Sequence, residues 1–316
     1  MSEKHVTRPA TDVSFCSSLK EDSWHDLSGR NAFESWHFDA VSDDGREALV
    51  ITFYDNYVLS PRFQARSGRS DTNGSELSEK TRFPSVSLVY SIDGKTVLSS
   101  VNEYGPADFH ARPGISETKL GGSSFRADKA EYGAGFFVTV DIRTVRGRRI
   151  RAELEWLSIE ADLLPKGDDL TGSVWNMAVP RADVSGKIML IGRRGKLRKL
   201  IHFRGTGYHD HISSENVHFR ELSSRMWGRA HFVDSTVVFN RNGGDRDNAA
   251  AGQFFLIRNG EIHERDAACV ASEPRRDRWG LVIPRRLLFT SADNIKLRGQ
   301  TGQHDRIGVI RSENAK

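Results

Sequence analysis

The chain has 316 residues, enough for one large or two medium domains, with 37% hydrophobic residues and six tryptophans to fill a core. Its 28% charged residues and formal charge of +4 fit a soluble surface, and no stretch approaches the ~18 uninterrupted apolar residues of a membrane-spanning helix. Cys16 and Cys269 stand alone without metal-type spacing, which points to a reducing compartment.

Met1 to Ala10 is polar and lacks the apolar run of a signal peptide, so the chain is expected to be cytoplasmic and unprocessed. Strand signals then dominate. Trp36 to Val41 and Ala48 to Tyr54 flank Ser42-Asp43-Asp44-Gly45, a hairpin with an Asp-Gly turn. Only Gly68 to Lys80 is arguable as a helix, and it reads equally well as a polar loop. Ser85 to Ile92 and Thr96 to Val101 flank Asp93-Gly94-Lys95 in the same way. Gly135 to Val145 and Arg148 to Ile159 alternate apolar with polar around Arg146-Gly147. Ala182 to Ile191 and Lys196 to Phe203 surround Gly192 to Gly195. Val233 to Asn240 leads into Arg241-Asn242-Gly243-Gly244, and Phe254 to Ile257 meets Arg258-Asn259-Gly260-Glu261.

Many short strands with turn signals at roughly 8–12-residue spacing predict an all-β sandwich or barrel. The linker-like Pro165-Lys166-Gly167-Asp168-Asp169 sets the expected division: an N-terminal extension over 1–30, one domain over 31–168 and a second over 169–316. Arg311 to Lys316 reads as a solvated tail. The basic runs Arg146-Gly147-Arg148-Arg149 and Gly192-Arg193-Arg194-Gly195-Lys196 read as solvated hairpin tips. They form no continuous stripe and carry no interleaved aromatics, so no nucleic-acid partner is expected.

Chemistry concentrates in Gly205-Thr206-Gly207-Tyr208-His209-Asp210-His211. Four adjacent polar side chains are costly on an ordinary strand, because an unpaired buried polar group loses roughly 1–3 kcal/mol. Alternation puts His209 and His211 on one face and Tyr208 with Asp210 on the other.

Glu34-Ser35-Trp36-His37-Phe38-Asp39-Ala40-Val41-Ser42-Asp43-Asp44-Gly45 and Tyr57-Val58-Leu59-Ser60-Pro61 resemble the opening of the carotenoid 1,2-hydratase (hydroxyneurosporene synthase) group. Trp175-Asn176-Met177-Ala178-Val179-Pro180-Arg181-Ala182, the Gly-Tyr-His-Asp-His stretch and Trp227-Gly228-Arg229 resemble its second-half signatures. The resemblance implies two consecutive lipocalin-like β-domains, barrel or sandwich, enclosing an apolar cavity for a long unsaturated molecule, with no organic cofactor. That superfamily also includes natural-product Diels–Alderases and lipid-associated proteins. The chain departs from the group at Ser213, where a tryptophan is usual, and in lacking Tyr-x-Asp around Val238-Phe239-Asn240. The resemblance therefore carries the fold further than the reaction.

Hydrating or cyclising an alkene needs a strong acid and a cation-stabilising wall. Asp210 is the candidate acid, since an apolar pocket keeps a carboxylic acid protonated; an ion pair with an arginine is its structural alternative. His209 and His211 are candidate acid–base groups, with His211 at the position the resemblance favours. Tyr208 is a candidate donor to a substrate carbonyl. Trp36, Trp175 and Trp227 are candidate cavity walls, with core packing as the alternative, and His37 is a candidate contact from the first strand. His209-x-His211-x-x-x-Glu215 has metal-site spacing but an incomplete ligand set, so no metal is expected.

The leading expectation is a cofactor-free enzyme acting on a hydrophobic polyene or isoprenoid by acid-initiated hydration or cyclisation. A pericyclase that needs no acid and a non-catalytic lipid carrier stand as alternatives. Peripheral membrane contact for substrate uptake also stays open.

Overall fold

Each Asp-Gly turn closes a hairpin. Strands β2 (Phe33–Ser42) and β3 (Glu47–Tyr54) pair with Val41 opposite Ala48. Strands β4 (Ser85–Ile92) and β5 (Lys95–Glu103) are joined by Asp93 and Gly94, both at positive φ (48° and 70°). That backbone matches the twist of the flanking strands and suits an Asp-Gly pair. The computed structural model describes residues 13–67, 82–130, 133–163, 172–216, 225–242, 249–276, 282–291, 296–301 and 308–312. The arguable segment Gly68 to Lys80, the linker-like Pro165 to Asp169, Gly243-Gly244 and the end of the tail lie outside those residues.

The chain is nearly all β, folded into two curled half-barrel sheets. Helix is confined, among the described residues, to α1 (Pro61–Ser67) and two 3₁₀ turns at Lys20–Asp22 and Pro106–Asp108. None of these is long and apolar enough to cross a membrane.

The first sheet has twelve strands. Beyond β2 to β5 it contains β6 (Phe109–Arg112), β7 (Ile115–Leu120), β8 (Ser123–Ala130), β9 (Gly133–Arg143) and β10 (Arg149–Glu160). Two long strands, β11 (Ser173–Ile191) and β12 (Leu197–Ser214), join its halves in the order β5-β4-β3-β2-β12-β11-β10-β9-β8-β7-β6. A short β1 (Val13–Cys16) runs parallel to β11. The second sheet has seven strands in sequence order: β13 (Arg225–His231), β14 (Thr236–Asn242), β15 (Ala249–Arg258), β16 (Glu261–Arg276), β17 (Val282–Ser291), β18 (Lys296–Thr301) and β19 (Gly308–Ser312).

The chain passes from one sheet to the other between Ser214 and Arg225, not at 168/169. Strands β11 and β12, which the sequence assigns to a second unit, complete the first sheet. Part of the expected N-terminal extension is also built in, through β1 and the Lys20–Asp22 turn.

Three of the apolar clusters among the described residues follow from this topology. The inner face of the first sheet packs Trp36, Phe38, Phe53, Phe125, Phe136 and Trp156. The second sheet packs Phe239, Phe254 and Phe289 among others. A third cluster joins Trp175, Met177 and Tyr208 of the first sheet to Val238, Phe255 and Ile257 of the second. The centre of the first sheet is thus covered on both faces. Val174 to Pro180 is buried residue after residue, as expected where a strand has protein on both sides.

Candidate active site

The site is built on β12, between β2 and β11. Tyr208 stands opposite Asp39, His209 opposite Phe38, Asp210 opposite His37 and His211 opposite Trp36. Gly205 and Gly207 permit this close pairing. A Cβ on Gly207 would meet Val184 Cγ2 at 2.4 Å and Trp156 Nε1 at 2.5 Å, and one on Gly205 would meet the Val41 carbonyl at 2.0 Å. On the other side, the register slips twice, between Asn176 and Val179 and between Val179 and Ala182. Two bulges in β11 therefore lie beside Asp210 and Tyr208. Bulges re-aim side chains next to functional sites, and Pro180 falls where a ladder donor is dispensable.

On the outer face, toward the second sheet, Asp210 is the centre. Its Oδ2 accepts hydrogen bonds from Trp175 Nε1 at 2.8 Å and from the Tyr208 hydroxyl at 2.9 Å. Oδ1 is buried and has no hydrogen-bond partner. Burial raises the carboxyl above its ordinary range, against the opposing pull of the His37 charge and the two donors. The Tyr208 hydroxyl is also pushed well up, by burial and by the neighbouring Asp210.

Beside this pair runs an ionic row. Arg229, from β13, donates Nε–H to Asp39 Oδ1 at 2.7 Å, and its Nη2 reaches the same oxygen. Asp39 is held down to about 2: burial opposes this, but the Arg229 charge and the His37 hydrogen bond outweigh it. His37 Nε2 lies 3.3 Å from Asp39 Oδ2 and Nδ1 lies 3.2 Å from Thr52 Oγ1. Burial lowers the His37 imidazole, yet Asp39 and Asp210 together leave it raised. Trp227 packs edge-on against both His37 (5.1 Å) and Trp175 (5.8 Å). His37 keeps 18% of its side chain exposed, so the row of charges reaches solvent there.

The inner face is different. His209 Nε2 sits 2.9 Å from Asp22 Oδ1 and Nδ1 sits 3.0 Å from the His37 carbonyl. Its ring stacks on Phe38 at 3.8 Å and 5° and abuts Phe136 at 4.5 Å. His211 Nδ1 lies 3.0 Å from the Glu21 carbonyl, and its ring stacks on Trp36 at 4.5 Å. Trp36 in turn donates Nε1–H to the Asp22 carbonyl at 2.8 Å. The structure therefore places Asp210, Tyr208, Trp175, Trp227 and His37 together, and places His209, His211 and Trp36 on the opposite side of the sheet.

Three groups invite a metal reading: His25, Glu34 and His211 converge within 4.8 Å. Glu34 Oε2 lies 2.9 Å from His25 Nδ1 and 3.1 Å from His211 Nε2, the latter without hydrogen-bond alignment. The two imidazoles stack at 5.2 Å and 21°, so their in-plane lone pairs run along near-parallel planes instead of meeting at one point. The arrangement reads as a hydrogen-bonded carboxylate, held down to about 2 by the two histidines in spite of burial. Glu215, the carboxylate in the spacing noted above, accepts from the Gly29 amide at 2.9 Å instead.

Sequence reasoning missed Asp22, His25 and the pairing of Asp39 with Arg229. For Asp22 and His25 the sequence signal is the density of titratable residues in Glu21-Asp22-Ser23-Trp24-His25-Asp26; the pairing of Asp39 with Arg229 has none.

This architecture is lipocalin-like. It superposes on the crystal structure of an AttH protein from Nitrosomonas europaea with a TM-score of 0.56 at 13% identity, covering 89% of this chain and 83% of that one. The crystal structure of CghA with Sch210972 gives a TM-score of 0.49 at 14% identity, over 86% of this chain and 75% of that one. In sequence, the chain is similar to a hydroxyneurosporene dehydrogenase of Chlorobaculum tepidum, 23% identical over 222 residues. That match covers 66% of this chain and 56% of the relative, little more than half the relative's length. Its name shares hydroxyneurosporene with the group that the sequence motifs resemble. No family model matches the chain.

Proposed function

We propose that this protein is a cofactor-free enzyme that protonates an alkene of a hydrophobic polyene or isoprenoid, with Asp210 as the acid. One observation carries the reading: a buried carboxyl with one oxygen occupied by two donors and the other free. Burial favours the neutral acid, and the lone pairs of Oδ2 are engaged, so the proton resides on Oδ1. A carboxylic acid kept neutral by its surroundings is a usable proton donor at ordinary pH.

The alkene π pair takes that proton as a new C–H bond and leaves a carbocation. The Asp210 carboxylate left behind is stabilised by Trp175 Nε1–H, the Tyr208 hydroxyl and the raised imidazole of His37. The ring faces of Trp227 and Trp175 supply the π-density that a cation prefers over an aliphatic wall. In hydration, a water oxygen forms the C–O bond and its surplus proton returns to Asp210. In cyclisation, a second alkene forms the C–C bond and an adjacent C–H gives its proton back. The hydroxyneurosporene in the relative's name supports a long polyene as substrate class.

Turnover of an acyclic polyene in deuterated water tests the reading. Deuterium appears at one carbon of the product if Asp210 initiates the reaction. Conversion without deuterium would mean a pericyclic step, loss of two hydrogens a dehydrogenation, and binding without conversion a carrier. Each of these three results overturns the assignment.

A further inference from the structure

Two basic runs that are far apart in sequence come together in the fold. The turn between β9 and β10 (residues 144–148) and the turn between β11 and β12 (residues 192–196) lie side by side, because Arg149 pairs with Ile191. Arg193 Nε donates to the Arg146 carbonyl at 2.7 Å across the gap, with |i−j| of 47. What reads in sequence as separate solvated turns is one surface.

That surface has two properties. Arg146, Arg148, Arg193, Arg194, Lys196 and Arg198 are all exposed, and among the described residues none of them is in an ion pair. No Asp or Glu occurs from Thr144 to Arg151 or from Gly192 to Arg204. Between the cations stand exposed aliphatic side chains, Val145 at 106%, Leu197 at 50% and Leu200 at 43% of their full exposure. Arg149, Arg151 and Lys187 are instead paired with Asp141 and Glu153 farther down the hairpin stems, which leaves the uncompensated charge at the tips.

We propose that the paired tips of these two hairpins dock on the surface of an anionic lipid bilayer. Clustered Lys and Arg are attracted to acidic headgroups over about a Debye length, and Val145, Leu197 and Leu200 gain by leaving water for the acyl boundary. A nucleic acid would match the charge but offers the aliphatic side chains no apolar receiver, and the tips hold no aromatic ring on which a base would stack. The docking stands on the tips alone. That a polyene substrate dissolves in such a bilayer is the part that rests on the proposed function.

Co-sedimentation of the full chain with lipid vesicles tests it, independently of any turnover. Binding to phosphatidylserine-containing vesicles, weak binding to phosphatidylcholine alone, and loss at high salt are expected. Arg193→Gln with Arg194→Gln should weaken the partition roughly 30-fold, at about one unit of headgroup attraction per residue. Val145→Asp with Leu197→Asp should weaken it again, whereas Arg258→Gln on the second sheet should leave it unchanged. All these positions are exposed, and an unaltered melting temperature checks that the fold persists. Equal binding to both vesicle types, no effect of the arginine pair, or tighter binding to duplex DNA than to the acidic vesicles would overturn the docking surface while leaving the reading of Asp210 intact.

Discussion

The two faces of β12 carry the same kinds of side chain and put them to opposite uses. On the inner face, His209 has both ring nitrogens bonded, to the His37 carbonyl and Asp22, and stacks on Phe38. His211 bonds the Glu21 carbonyl through Nδ1, stacks on Trp36 and leaves Nε2 3.1 Å from the Glu34 carboxylate without alignment. On the outer face, Asp210 has one oxygen saturated and the other bare, beside a row of charges that ends at the partly exposed His37. A buried polar group whose partners are complete holds structure; one left incomplete stores free energy that a substrate can release. Unusual polarity along a strand thus says that something is built there. The partners separate His209, whose two nitrogens are both bonded, from Asp210, whose Oδ1 is not.

The comparison breaks most cleanly at Asp210. Asp210→Asn keeps the shape and an acceptor for Trp175 and Tyr208 but removes the dissociable proton. Turnover should fall by about 10²–10⁴-fold, with the melting temperature little changed. Steady-state rates on a polyene substrate check this, and full activity would move the site elsewhere.

His209→Ala should do the reverse. It leaves the Asp22 carboxylate buried with, among the described residues, only the Ser116 hydroxyl on it, and opens space between Phe38 and Phe136. Breaking a buried pair of this kind costs about 3–5 kcal/mol, which urea denaturation would register as a lower midpoint. If the variant were as stable as the parent and merely slow, the inner face would be catalytic after all.

Acid titration sharpens the contrast further. Glu34 on the inner face and Asp39 on the outer are both held at about 2, below their unfolded values. Their contribution is complete above the ordinary carboxylate range and is lost as pH falls from about 4.5 toward 2, on the order of 2 kcal/mol each. Asp55 acts in the other direction, since burial and the neighbouring Glu34 charge raise it to about 7 against the opposing pull of Arg82. The folded state holds that proton longer than the unfolded chain does, so stability drains away between about pH 4 and pH 7. The melting temperature should therefore climb from pH 2, peak in mild acid and decline toward neutrality. Asp55→Asn should flatten the declining limb and leave the rising one, and a variant that still declines as steeply would refute the assignment.

What was legible in the sequence follows from which interactions are local. The Asp-Gly hairpins and the alternation of Tyr208 to His211 are set within a few residues, and both appear in the structure. Strand lengths were less legible: β11 and β12 extend well past the alternating cores, because burial on both faces erases the period that marks a strand. Long-range pairing was not legible at all. Asp22 meets His209 across 187 residues and Arg229 meets Asp39 across 190, and nothing local to either partner signals the other. The joining of the two basic hairpin tips belongs to the same class.

The smallest effect is expected at Tyr208, which makes it the finest probe of the outer face. Its hydroxyl is one of two donors on Asp210 Oδ2, and the other, Trp175 Nε1, remains in Tyr208→Phe. A hydrogen bond to a charged group is worth about 1.5–3 kcal/mol, and here the group is charged only after the proton has left. The loss should therefore appear in the transition state more than in the ground state, as a roughly tenfold fall in kcat with KM nearly constant. Stability should change little, since phenylalanine keeps the packing against Trp227. With one donor fewer, the conjugate base is less stabilised and Asp210 becomes a weaker acid, so any limb of the rate profile set by its ionisation should move to higher pH. A rise in KM alone, with kcat and the pH limb unchanged, would show that Tyr208 holds the substrate instead of tuning Asp210.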